Sequence, residues 1–244
     1  MAKSETSSAR LILELMPVNG PKSLMRRALE AAIRKAFTRA YQTIRVDPEK
    51  YMTHLRAAYG LPAVTYDGVL GVELHMLDHI AEEAIRGSMK IAAAEGAGMG
   101  MGGLFTVIPD LGFLAAITMR MIQKLSLIYG FPYTTEEEQS ELWVAAASAA
   151  GVDITRDLVE KQVISKFVPR VISAIATQAS KEIVEKWAGR LIPVVSGLIG
   201  AGLNYYFVRV WGERALGHFR ERHLALRHQQ ERAAAVPLPA SSAS

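Results

Sequence analysis

The chain has 244 residues, half of them hydrophobic, which is enough to bury one sizeable core, and its formal net charge of +4 with a pI near 9.3 permits an anionic partner without choosing one. A mean hydropathy of +0.14 with 21 % charged residues excludes both a disordered chain and a polytopic channel. With no cysteine, disulfide scaffolds, thiolate zinc sites, iron–sulfur clusters and cysteine nucleophiles are excluded together.

Met1–Ser8 is polar, and Leu11–Met16 is too short for the core of a secretory signal and is broken by Pro17, Gly20 and Pro21, so residues 1–20 read as a flexible segment with no cleaved export signal. From Pro21 to Arg45, Met25, Leu29, Ile33, Phe37, Tyr41 and Ile44 recur at helical spacing. The opposite face carries Lys22, Arg26, Arg27, Arg34, Lys35, Arg39 and Arg45 against Glu30 alone, so this amphipathic helix (21–45) holds most of the excess positive charge. Asp47-Pro48 predicts the cap and first turn of a short helix that Gly60 closes. A longer helix is expected from Asp67 to Ala94.

Gly96–Met119 then runs 24 residues with Asp110 as its one charge and Pro109 in its middle. Ala115–Tyr129 continues as a helix, ended by Gly130 and Pro132, and Thr134/Thr135 with Glu138 has capping-box spacing for a helix reaching Ala150. Arg156–Phe167 reads as another helix, which Pro169 kinks or ends before Val171–Trp187 resumes the pattern. Leu191–Val208 spans 18 residues without a formal charge, Arg209–Gln230 forms a mixed-charge helix, and Val236–Ser244 is a Pro/Ala/Ser tail. No segment alternates with period two between hairpin turns, so the fold class is all-α: one helical domain over 21–228, flanked by a flexible N-terminus (1–20) and a disordered tail (229–244).

These motifs resemble those of the EcsC-like family, named after the third gene of an operon whose first two genes encode an ABC transporter. The resemblance rests on the Gly-rich run Gly96, Gly98, Gly100, Gly102 and Gly103, on Asp110-Leu111, on Arg120 through Tyr129-Gly130, and on Gly197, Gly200 and Gly202 followed by Asn204. It covers roughly residues 85–220. It implies a helical, bacterial, membrane-associated protein, accessory to a membrane complex such as an ABC transporter, and it transfers no catalytic residue.

Both apolar runs qualify by length for a membrane span of roughly 20 residues. A carboxylate at a span's centre costs about 2.5–3.5 kcal/mol, so Asp110 and Pro109 disfavour a straight crossing and favour a hairpin turning near Pro109. The alternative is two core helices of a soluble bundle, with Asp110 capping a helix that starts at Leu111. Gly96/Gly100 and Ser196/Gly200 spacings allow close helix approach in either setting, or between copies in a homo-oligomer. The Gly run follows a helix and lacks a Walker ending, which argues against nucleotide binding.

The partner expected for the basic helix is an anionic membrane, since each Lys or Arg near an anionic leaflet contributes about 1 kcal/mol and the apolar face can dip into the headgroups. Nucleic acid is disfavoured because no helix-turn-helix or RNP-like motif accompanies the charge. For metal, His75, His79 and Glu82 share one helix face at i, i+4 and i+7, but Met76 stands where HExxH has its Glu. His218, His223 and His228 spread around a helix instead of converging. No GxSxG elbow or SxxK motif supplies a nucleophile, and no cofactor is expected. Asp110, Arg120 and Asn204 lie in or beside apolar segments and read as structural, with an Asp110–Arg120 contact as one arrangement. The expectation is a non-catalytic, cytoplasmic protein, peripheral to or partly inserted in the inner membrane. A soluble metal-dependent hydrolase and a soluble interaction module are the alternatives.

Overall fold

A computed structural model describes residues 21–99, 107–154, 164–188 and 197–235. Among these residues every regular element is helical: α1 (Pro21–Thr43), α2 (Pro48–Tyr59), a 3₁₀ turn (Asp67–Gly71), α3 (Leu74–Met99), α4 (Val107–Ile128), α5 (Glu136–Ala149), α6 (Ile164–Ala188) and α7 (Gly197–Ala235).

The local signals act where the chain chemistry demands. Asp47 accepts a hydrogen bond from the Lys50 amide at 3.1 Å, and Gly60 closes α2 with φ +67. At the start of α5 the Glu138 amide donates to Thr135 Oγ1 at 3.2 Å while the Thr135 amide donates to the Glu138 carboxylate at 3.0 Å. The reading of 67–94 as one helix is corrected. Gly68 and Gly71 favour a 3₁₀ turn, Val72 is extended, and α3 begins only after Glu73.

Pro109 sits in the first turn of α4, where its missing N–H needs no partner. Asp110 therefore falls inside that first turn and does not cap a helix starting at Leu111, although its side chain lies outside the described ones. Pro169 likewise neither ends nor begins a helix. It stands in the second turn of α6, with buried Phe167, Val168, Val171 and Ile172 holding both sides, and Ser173 donates to its carbonyl at 2.9 Å. The expected helix over 156–163 lies outside the described residues, and α7 continues past residue 228 to Ala235.

Two long helices, α3 and α7, run antiparallel, with Asp78 level with Arg220 and Ile85 level with Gly212. At that second crossing a Cβ on Gly212 would stand 3.0 Å from Ile85 and 3.1 Å from Met121 of α4, so a larger residue requires those side chains to give by a few tenths of an ångström. Helix α4 runs parallel to α7 and fills the centre. Met121, Ile122, Leu125, Leu127 and Ile128 are fully buried against α1, α3, α5 and α7, the all-round burial that its apolar composition requires. Among the described residues, Leu111–Ile128 is the helix long and apolar enough to cross a membrane, and 61 % of that stretch is buried inside the bundle.

Helix α1 lies along α4 and α6. Its Ile33, Phe37 and Ala40 are buried, and Phe37 meets Trp211 of α7 with ring centroids 5.7 Å apart. The end of α1 is tied to α4 by Gln123, which accepts from the Val46 amide at 2.9 Å and donates to the Ile44 carbonyl at 3.0 Å. In this arrangement α1, α4 and α7 begin, and α3 and α6 finish, at one end of the bundle. The capped turns around Asp47, Gly60, Gly130 and Thr135 occupy the other.

Candidate functional site

The surface of α1 follows directly from how it packs. With Ile33, Phe37 and Ala40 turned inward, Arg26, Arg27, Arg34, Lys35 and Arg39 are all exposed. Arg34 pairs with Glu30 at 2.9 Å, and Glu30 also accepts from Thr177 of α6 at 3.1 Å. Among the described residues no acid pairs with Arg26, Arg27, Lys35 or Arg39. A shallow groove lined by Ala31, Arg34, Lys35, Thr38, Arg39 and Gln42 runs along this face. The Lys22 side chain lies outside the described ones, and Arg45 falls beyond the helix, next to Asp47.

The apolar face is not free to dip into headgroups, because the core already buries it. What α1 offers is charge held by a rigid scaffold. Of its large hydrophobic side chains, Leu24 is exposed in the first turns, and Tyr41 is partly exposed, packed edge-on against Trp143.

A second polar centre, not singled out as a unit in the sequence, joins three helices near the capped end. Tyr129, fully buried just after α4, donates its hydroxyl to Asp78 of α3 at 2.6 Å. Arg220 of α7 grips the same carboxylate through Nε at 3.0 and 3.2 Å. Buried His223 places Nδ1 3.0 Å from the Tyr129 carbonyl; a carbonyl only accepts, so the ring donates from that nitrogen. Burial, then the hydrogen bond and charge of Asp78, push the Tyr129 hydroxyl well above its ordinary pKa. Gly130 follows with φ +89, the turn that lets the chain leave the buried tyrosine. Each group thus has a partner that anchors helices, and the knot works as a clamp between α3, α4 and α7.

Nearby, Arg222 pairs with Glu141 of α5 and covers the Phe131 ring at 4.8 Å. Burial, reinforced by Arg222, holds the adjacent His218 below the usual histidine range against the opposing pull of Glu141.

The remaining expected residues do not form a site. His79 faces Glu83 at 3.9 Å and Glu82 faces Arg86 at 3.3 Å, both exposed along α3, and among the described residues no three His, Asp or Glu side chains could hold a metal ion. Arg120 is exposed, and it stands about 15 Å up the α4 axis from residue 110, too far for the contact considered above. Asn204 is buried, but its amide nitrogen has no hydrogen-bond partner among the described residues. Gly96 and Gly98 lie in the last turns of α3, and Gly197, Gly200 and Gly202 open α7, while Gly100, Gly102 and Gly103 fall outside the described residues. The pairing of Asp78 with Tyr129 and Arg220 spans 51 and 142 residues, and no local pattern signals it.

Residues 10–224 match the family model described as the EcsC protein family. Over 152 residues the chain is 29 % identical to Protein EcsC of Bacillus subtilis (strain 168), a match covering 60 % of this chain and 64 % of that protein. The alignment therefore spans less than two thirds of that relative's length. No solved structure matches the chain.

Proposed function

The chain belongs to the EcsC protein family, and on that premise we propose that it is a non-catalytic helical protein that docks peripherally on an anionic membrane. The observation that supports this reading is the division of α1. Its apolar face is committed to the core, while Arg26, Arg27, Lys35 and Arg39 stay exposed without an acid partner among the described residues. Packing leaves this one-sided charge facing outward, where an anionic leaflet attracts each of these residues with about 1 kcal/mol.

Attachment is electrostatic, from the cytoplasmic side of the inner membrane, with α4 remaining in the core. A membrane complex, of the transporter kind that the family resemblance implies, is the second partner in this proposal. The test is vesicle partitioning of the native chain and of R26Q/R27Q/K35Q/R39Q, with circular dichroism to establish that the variant is folded. The native chain is expected on anionic vesicles and not on neutral ones, and the folded variant is expected to lose roughly a thousandfold in affinity. Equal binding of the two proteins, or equal binding to the two lipids, overturns the proposal.

A further inference from the structure

The fully buried second half of α4 contrasts with its first half, which keeps one strip open. Gln123 ties α4 to α1, Met121 meets α3 and α7 at the Gly212 crossing, and Leu111, Leu114 and Thr118 share a small cavity with Ala179 of α6 and Trp211 of α7. Between the flanks turned to α1 and α3 lie Phe113, Ile117, Arg120 and Lys124, spaced i, i+4, i+7 and i+11, and none of the four is fully buried. Two strips of the same spacing border them. On α1, Glu30 bonds Thr177 of α6, so Ala32, Ala36, Arg39 and Thr43 lie on the flank away from α6. On α3, Asp78 and Ile85 face α7, so Ile80, Ala84, Gly87 and Ile91 lie on the flank away from α7. Ile85 and Met121 meet the same glycine, and Ile33 and Phe37 sit beside Leu111 and Leu114, which sets Ile91 level with the Phe113–Ile117 turn of α4 and with α1 around Phe37. The three strips line one trough between α1 and α3, with α4 as its floor.

Among the described residues nothing fills this trough. Ile91 is 56 % exposed, and a Cβ built on Gly87 meets no atom within 4 Å. The other end is closed. Ile80 is buried there, and α2 packs across α4, with Tyr51 placing its ring centroid 5.9 Å from the Lys124 ammonium. Charge gathers at this closed end. Arg120 and Lys124 stand one turn apart, and among the described residues no acid pairs with either. Burial, then the like charge of Arg120, lowers the Lys124 ammonium below its ordinary pKa. Two adjacent cations, one of them half-buried, repel each other at a cost that an anion between them removes.

We propose that this trough binds one molecule of an anionic lipid, with its acyl chain along Ile117, Phe113 and Ile91 and its acidic head between Arg120 and Lys124. The floor runs roughly 16 Å from Lys124 to Phe113, long enough for most of an acyl chain. An apolar wall that ends on unpaired cations suits an amphiphile. The chain leaves water along aliphatic and aromatic side chains, and the head supplies the missing counter-charge. The site is separate from the outward charge of α1 that attaches the protein to a surface, so each has its own measurement.

The probe is dodecyl phosphate, held below its micelle concentration and titrated calorimetrically into the full chain. The expected result is saturable binding of one molecule, at least about tenfold tighter than the uncharged dodecyl maltoside or inorganic phosphate. R120Q/K124Q is expected to weaken it roughly thirtyfold and I91E roughly tenfold. R26Q/R27Q removes as much charge from α1 outside the trough and is expected to change it less than about threefold. Ile91 and Arg120 are exposed, and circular dichroism establishes that each variant is folded. Absence of saturable binding, equal binding of the maltoside or of inorganic phosphate, or equal losses from the two charge pairs overturns the site. A monomer–dimer equilibrium that I91E abolishes also overturns it, because a second copy then covers the trough. Vesicle docking of the native chain is measured alongside, and its presence or absence bears on the surface reading alone.

Discussion

Gly130→Ala tests whether the Tyr129-Gly130 step is a structural hinge of the polar clamp. At φ +89 an L-residue is strained by roughly 1–2 kcal/mol. The added Cβ would stand 3.0 Å from the Tyr66 carbonyl oxygen and 3.2 Å from Val69 Cβ. Neither atom is the free end of a flexible chain: one is backbone, and Val69 is fully buried in the 3₁₀ turn. Relieving that contact costs about 1–3 kcal/mol by the usual scale of overpacking. The sum, about 2–5 kcal/mol, lowers the melting temperature of a chain of this size by roughly 5–15 °C. Denaturant unfolding followed by circular dichroism measures it, with Gly87→Ala as the opposing control. Gly87 lies within α3 with nothing within 4 Å of a built Cβ, so alanine there gains up to about 1 kcal/mol. A loss under about 1 kcal/mol for Gly130→Ala, or the same sign for both variants, would refute the reasoning.

Tyr129→Phe removes the hydroxyl that holds Asp78 and is expected to cost about 1.5–3 kcal/mol, with Arg220 still neutralising the carboxylate. In a double-mutant cycle with Asp78→Asn the two changes should couple by at least about 1 kcal/mol, and simple additivity would dissolve the clamp. For His218, burial keeps the folded-state pKa below the unfolded value near 6.5, so the unfolded chain binds the proton first. Stability is then unaffected above that pH and falls as pH drops below it, by up to about 1.4 kcal/mol per unit until the folded-state pKa is passed. His218→Gln should flatten thermal melts between pH 6.5 and 5.5 relative to the native chain, and parallel curves for the two proteins would count against it.

Short-range chemistry was legible in the sequence and long-range geometry was not. The caps at Asp47 and Thr135 and the turns at Gly60 and Gly130 involve residues at most six apart, so their pattern survives in one dimension. Pro109 and Pro169 each left more than one reading open, because proline reports only that a helix cannot receive one amide. Whether it ends a helix depends on its position within the element and on what packs around it, here the first turn of α4 and a well-packed second turn of α6. The run at 111–128 has the composition of a membrane span and of a central core helix alike, and 61 % of it is buried inside the bundle. The basic face of α1 was readable from spacing alone. That its apolar side belongs to α4 and α6 required the fold.

The most direct test of peripheral electrostatic docking is flotation of the native chain with anionic vesicles, first at low salt, then at about 1 M salt, and finally after an alkaline carbonate wash. The account predicts binding at low salt that is lost when the screening length falls to about 3 Å, with nothing left after carbonate. Association that survives both treatments would contradict it, because an apolar segment would then be inserted in the bilayer.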